Sequence, residues 1–104
     1  MAGKQMAFQM SEYDYREALK LFVTLREAQV EVSDYIAAVT DEKKRQRLQA
    51  ALLIAVKCDK EGTDPLRVRK IVCWRNAEGK PGAIEVEIAK PVPQPVEEVP
   101  NQLP

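Results

Sequence analysis

The residues of this chain whose types and spacing suit recognition chemistry are basic. Lys43, Lys44, Arg45 and Arg47 form one cluster, and Arg67, Arg69, Lys70 and Arg75 form a second, interleaved with Trp74. Cations contact phosphates, and an aromatic among them offers a base a stacking surface, the combination that platforms for single-stranded nucleic acid use. The residue types that do covalent or metal chemistry are scarce. The chain has no histidine, which removes the commonest general acid/base and transition-metal ligand. Its two cysteines, Cys58 and Cys73, stand apart, with no Cys/His nucleophile arrangement and no paired thiol ligands. A single disulfide between them is compatible with the spacing, but buried free thiols are the default in a reducing compartment.

The remaining catalytic patterns are also weak. Asp14/Glu17 and Glu27/Glu31 fall on a solvated helix face, and Glu85/Glu87 faces arginines, so no carboxylate pair sits on an apolar wall that would shift its pKa. With four glycines there is no phosphate-cradling GxGxxG or P-loop, and no GxSxG. Nothing converges carboxylates for an oxygen-only metal site. The expectation is a protein that is not an enzyme and uses no cofactor or metal.

Charge sums to zero, with 16 basic and 16 acidic residues, but it is segregated along the chain. Residues 11–39 hold six acids and three bases, 40–75 ten bases and five acids, and 76–104 two bases and five acids. Pairing within the fold accounts for such a pattern, and a basic face kept for a partner is the alternative. No apolar run approaches the ~20 residues that span a bilayer. The start, Met1-Ala2-Gly3-Lys4, lacks a secretory apolar segment, so an intracellular, cytoplasmic protein with no membrane contact is expected.

Several elements must position these residues. Lys4–Met10 alternates, with Met6, Phe8 and Met10 on one side, which suits a third strand, an arm docking on a neighbouring copy, or a frayed terminus. Ser11 is a helix cap with Glu12 and Asp14 in the first turn. Ala18, Leu21, Leu25, Ala28, Val32, Tyr35 and Val39 then follow at alternating spacings of three and four, a heptad seam. Neither proline nor glycine interrupts 11–39, so one helix of about 40 Å is predicted, with a kink before Ser33 as the alternative. Thr40 is the next expected cap. The helix after it is charged all round over Asp41–Arg47 and apolar all round over Ala50–Val56. That second half is therefore placed at the centre of the fold, covered on every side, and Gly62 terminates it.

Residues 66–75 and 83–90 read as a β-hairpin around 76–82. A simple register sets Trp74 opposite Ile84 and Val72 opposite Val86. Leu66, Val68, Val72 and Trp74 then share the apolar face, and Arg67, Arg69, Ile71, Cys73 and Arg75 the other. The fold class is thus α+β: a two-helix antiparallel hairpin on a small antiparallel sheet, residues 1–90, followed by an extended proline-rich tail, 91–104. The order strand, helix, helix, hairpin loosely resembles small toxins of the ribosome-dependent RNase type. Those carry a basic or histidine-bearing site on a larger sheet that this chain does not visibly have, so no function is carried over.

Two functions remain. The first is a non-catalytic interaction or assembly protein whose partner is another protein or a second copy of itself. Its interface would be the seam residues Leu21, Leu25, Ala28, Val32 and Tyr35 together with Pro91, Pro93 and Pro95 of the tail, an extended ligand for a groove. Small viral and mobile-element proteins share this make-up. The alternative is a single-stranded nucleic-acid-binding protein using Lys43, Lys44, Arg45, Arg47, Arg67, Arg69, Lys70, Trp74 and Arg75.

Overall fold

The computed structural model describes residues 4–90, so the expected tail and the tail prolines lie outside the described residues. The protein is α+β, with three helices and a three-stranded antiparallel sheet of order β1-β2-β3 among the described residues. The elements run β1 (Met6–Ser11), α1 (Glu12–Glu27), α2 (Val32–Ala38), α3 (Glu42–Glu61), a 3-10 turn (Pro65–Arg67), β2 (Val68–Arg75) and β3 (Pro81–Ile88). The N-terminal alternation is the third strand of the sheet.

Ser11 caps α1 as its type predicts, its hydroxyl accepting from the Asp14 N–H at 3.2 Å. The helix does not run to residue 39. Gln29 adopts a left-handed φ of 61°, the Val30 N–H reaches back to the Leu25 carbonyl at 2.8 Å, and the Gln29 N–H reaches that of Arg26 at 3.0 Å. This is a Schellman ending, usually signalled by glycine at the left-handed position. The predicted continuous helix is therefore two helices, and the two-helix hairpin gains a short third member. The break folds the seam inward. Leu25 and Val32 are buried, Leu21 and Tyr35 pack partly buried on the core, and Ala28 is exposed at the cap.

At α3 the cap is Asp41 and not Thr40. The Asp41 carboxylate accepts from the N–H groups of Lys43 and Lys44 at 3.0 and 3.2 Å, satisfying two of the free donors of the first turn. Gly62, with φ of 72°, closes the helix as expected.

The register of the hairpin differs from the simple one. Ile71 lies opposite Val86, Val72 opposite Glu85 and Cys73 opposite Ile84. A bulge between Val68 and Lys70 puts an extra β2 residue against Ile88 and Glu87, and this reverses the parity of the strand. Val68, Ile71 and Cys73 consequently share burial, at 0, 0 and 2% exposure. Val72 and Trp74, expected in the core, go to the half-covered outer side. On β1, Phe8 pairs with Cys73 and Met10 with Ile71, while the ladder shifts between Met6 and Phe8. That shift separates Met6 from the inner side and sets it against Trp74, half exposed.

The core between sheet and helices gathers Met10, Tyr15, Phe22, Leu48, Ile54 and Ile71 with their neighbours. Cys58 and Cys73 are free and buried. Burial pushes the Cys58 thiol above its ordinary pKa, which suits a packed thiol and not a nucleophile.

Candidate functional site: two surfaces framed by α3

The two halves of α3 frame different surfaces. Its charged N-terminal half faces the end of the sheet. Lys43, Gln46 and Arg47 there line a cleft of about 330 Å³ with Ala7 and Phe8 of β1, Arg75 of β2, and Gly79, Lys80 and Pro81 of the hairpin turn. The turn that delivers Lys80 is fixed locally. Asn76 Oδ1 accepts from the N–H groups of Glu78 and Lys80 at 2.9 and 3.0 Å, and Gly79 takes a φ of 79°. Arg75 donates to the Gly79 carbonyl at 2.8 Å, a contact that aims the guanidinium without neutralising it. The Arg47 guanidinium lies over the Phe8 ring, 5.9 Å from its centroid. Glu42, the acid in this wall, accepts from Gln46 at 3.3 Å and pairs with Arg45 at 3.7 Å.

Of the basic candidates, the structure brings Lys43, Arg47 and Arg75 together, and Lys44 flanks them across Arg47. The others are held elsewhere. Arg45 turns back to the Val39 carbonyl at 3.1 Å. Arg67 donates to the Ala89 carbonyl at 2.8 Å, and Arg69 pairs with Glu12 at 2.6 Å. Lys70 stands opposite Glu87 in the ladder. Trp74 donates its indole N–H to Glu85 at 2.8 Å, and Lys4 sits 5.4 Å over its ring while also meeting Glu85 at 3.9 Å. This outer sheet face is mixed in charge, and its aromatic already has partners. Lys80 and Phe8 are cleft residues the sequence marks only as a turn residue and an alternating strand residue, because only the folded hairpin and β1 bring them beside α3.

The C-terminal half of α3 is not covered on every side. Leu53 is 61% and Val56 49% exposed, against the expectation of a fully enclosed segment. Across from Val56 stand Val23 of α1, 51% exposed, and Leu66 of the 3-10 turn, 54% exposed. Leu19, Val23 and Leu66 line two adjoining hollows of about 380 and 650 Å³, which together form one apolar groove along α1. Its rim carries Arg16, Lys20 and Arg26, with Asp59 on the α3 side. The chain leaves the sheet beside it. The Ala89 N–H donates to the Arg67 carbonyl at 2.8 Å, and Arg67 returns the bond to the Ala89 carbonyl, one residue from Leu66.

Among the described residues no helix is long and apolar enough to cross a membrane, and no group of three or more His, Cys, Asp or Glu is placed to hold a metal ion. In comparisons with protein-family models, curated proteins and solved structures, nothing matches the chain.

Proposed function

We propose that the protein is a non-catalytic assembly protein that joins copies of itself, with the acidic, proline-rich segment 91–104 of one chain seated in the apolar groove of another. The observation that carries this reading is the groove. Val23, Val56 and Leu66, each about half exposed, surround Leu19 in a continuous apolar hollow, and contiguous exposed apolar surface favours an interaction site more than scattered apolar residues do.

The occupant follows from chemistry. A floor of Leu and Val with Arg26 on its rim, beside Arg16 and Lys20 that pair with Glu12 and Glu17, suits a mainly apolar segment with some negative charge. Residues 91–104 supply Val92, Val96 and Val99 with Glu97 and Glu98, and no base. Prolines at 91, 93 and 95 favour a pre-extended peptide that loses little entropy on docking. The same stiffness, which directs an extended segment outward at about 3.1 Å per residue instead of folding it back, favours a neighbouring copy.

Sedimentation velocity over a concentration series tests this. The wild-type chain is expected to exceed single-chain mass as concentration rises. Val23→Glu and Val96→Glu each should weaken association at least tenfold, about 1.4 kcal/mol, with helix content unchanged because Val23 is already half in water. A wild-type chain that stays monomeric throughout, or an assembly indifferent to both substitutions, overturns the proposal. Docking of the segment on its own chain is the first of these outcomes.

A further inference from the structure

The basic cleft lies on the other half of α3 and carries an inference independent of the assembly reading. We infer that it binds the phosphodiester backbone of a single-stranded nucleic acid, with Lys43, Arg47, Arg75 and Lys80 on phosphates and Phe8 against a base. The cations come from three places in the chain: α3, the end of β2 and the hairpin turn. Among the described residues Lys43, Arg47 and Lys80 have no carboxylate within 4 Å, and Arg75 is held only by a carbonyl. In a chain of zero net charge this is a local concentration of positive charge around a concave surface, where field lines focus. The acid in the wall, Glu42, is occupied by Arg45 and Gln46. Glu78, in the same turn as Lys80, and Asp41, which caps α3 beside Lys43, are acids that oppose the field.

Phe8 decides between ligands of the same charge. Its ring is half-buried, lining the cleft and packing on the core, with the Arg47 guanidinium 5.9 Å from its centroid, so the face a base would take is the one Arg47 now covers. Both groups stack on bases, and a base is available for stacking only where it is unpaired. A duplex or an inorganic anion would use the cations and leave the ring idle. The volume, about 330 Å³, is near the lower end for a small-ligand pocket. It is of a size for one nucleotide of a strand, with Lys43 and Arg47 of α3 on one side and Arg75 and Lys80 of the sheet end on the other.

The test is fluorescence anisotropy of a short labelled single strand of mixed sequence with the full chain. Three or four neutralised phosphates predict a slope of about −2 to −3 in log K against log salt, so affinity should fall about 20- to 50-fold between 50 and 200 mM salt. Arg47→Glu and Lys80→Glu, both at exposed positions, should each weaken binding tenfold or more. Phe8→Leu should weaken the strand while leaving any affinity for inorganic phosphate or poly-glutamate unchanged. Lys60→Glu, at the far end of α3, and Val23→Glu, in the groove, should have no effect, which separates this inference from the assembly reading. The inference is overturned by absence of saturable binding at 50 mM salt, by Lys60→Glu losing as much as Arg47→Glu, or by poly-glutamate competing as well as the unlabelled strand.

Discussion

Glu12 and Arg69, 57 residues apart, close an ion pair of 2.6 Å that ties the first turn of α1 to β2. The second oxygen of Glu12 meets Arg16 at 2.7 Å, one turn along the same helix. One carboxylate thus joins two guanidinium groups at a helix N-terminus, where negative charge is already favoured. The pair occupies an arginine that the sequence offered as a nucleic-acid contact, so the strand contributes to the fold what it withholds from a ligand.

The Arg69 hydrogen bond holds the Glu12 carboxyl below its ordinary pKa of 4.5, opposed by some desolvation and helped by the charge of Arg16. A carboxylate with a depressed folded pKa stabilises the fold above the unfolded value, and that contribution disappears as pH falls through the folded value. Urea unfolding at pH 7 should therefore show a lower midpoint for Glu12→Gln than for wild type. Below pH 4.5 the two midpoints should converge as wild-type Glu12 protonates. A gap that stays constant down to the acid transition would assign the effect to helix packing and not to charge.

Gln29 holds a φ of 61° where most helices place glycine. A left-handed conformation costs a residue with a Cβ roughly 1–2 kcal/mol, and glycine avoids that while losing more chain entropy on folding. Gln29→Gly should raise stability by ~0.5–1 kcal/mol, read as a higher urea midpoint with an unchanged slope. The side chain of Gln29 is exposed, so no lost packing offsets the gain. An unchanged or lower midpoint would mean that the loop between α1 and α2 is set by something other than this ending.

The same position explains where the sequence is legible and where it is not. Ser11 and Gly62 announce helix ends because their chemistry is local: a hydroxyl that accepts an N–H, a backbone free to turn left-handed. Gln29 carries no such mark, so the pattern of 11–39 reads as one helix. The hairpin is legible from its two apolar runs and the Asn76–Gly79 turn. Its register is not, because the bulge between Val68 and Lys70 has no glycine to announce it, and one extra residue moves Trp74 to the opposite face. Lys43, Arg47 and Arg75 are visible as basic residues, but as two separate clusters. Their union with Lys80 and Phe8 is a tertiary event. The apolar groove is not legible: Ala50–Val56 reads as a fully covered segment, and only the fold sets Val56 beside Val23 and Leu66 at the surface.

Tyr15 is fully buried, and its hydroxyl has no hydrogen-bond partner among the described residues. Burial raises its pKa from 10.0 to about 12, with a smaller contribution from the neighbouring Cys58. An unsatisfied buried hydroxyl costs about 1–3 kcal/mol, while the ring beneath it packs the core. Tyr15→Phe keeps the ring and removes the orphan oxygen, so at pH 7 it should gain ~1 kcal/mol. The alkaline limb gives an independent readout. Between pH 10 and 12 the unfolded wild-type chain ionises at Tyr15 and the folded chain does not, so stability falls as pH rises through that interval. Phenylalanine has no proton to lose, so the advantage of the variant over wild type should widen across it, while titrations common to both proteins largely cancel. A variant less stable at pH 7, with a constant difference to pH 12, would mean that the hydroxyl is hydrogen-bonded in solution and that its partner is an internal water.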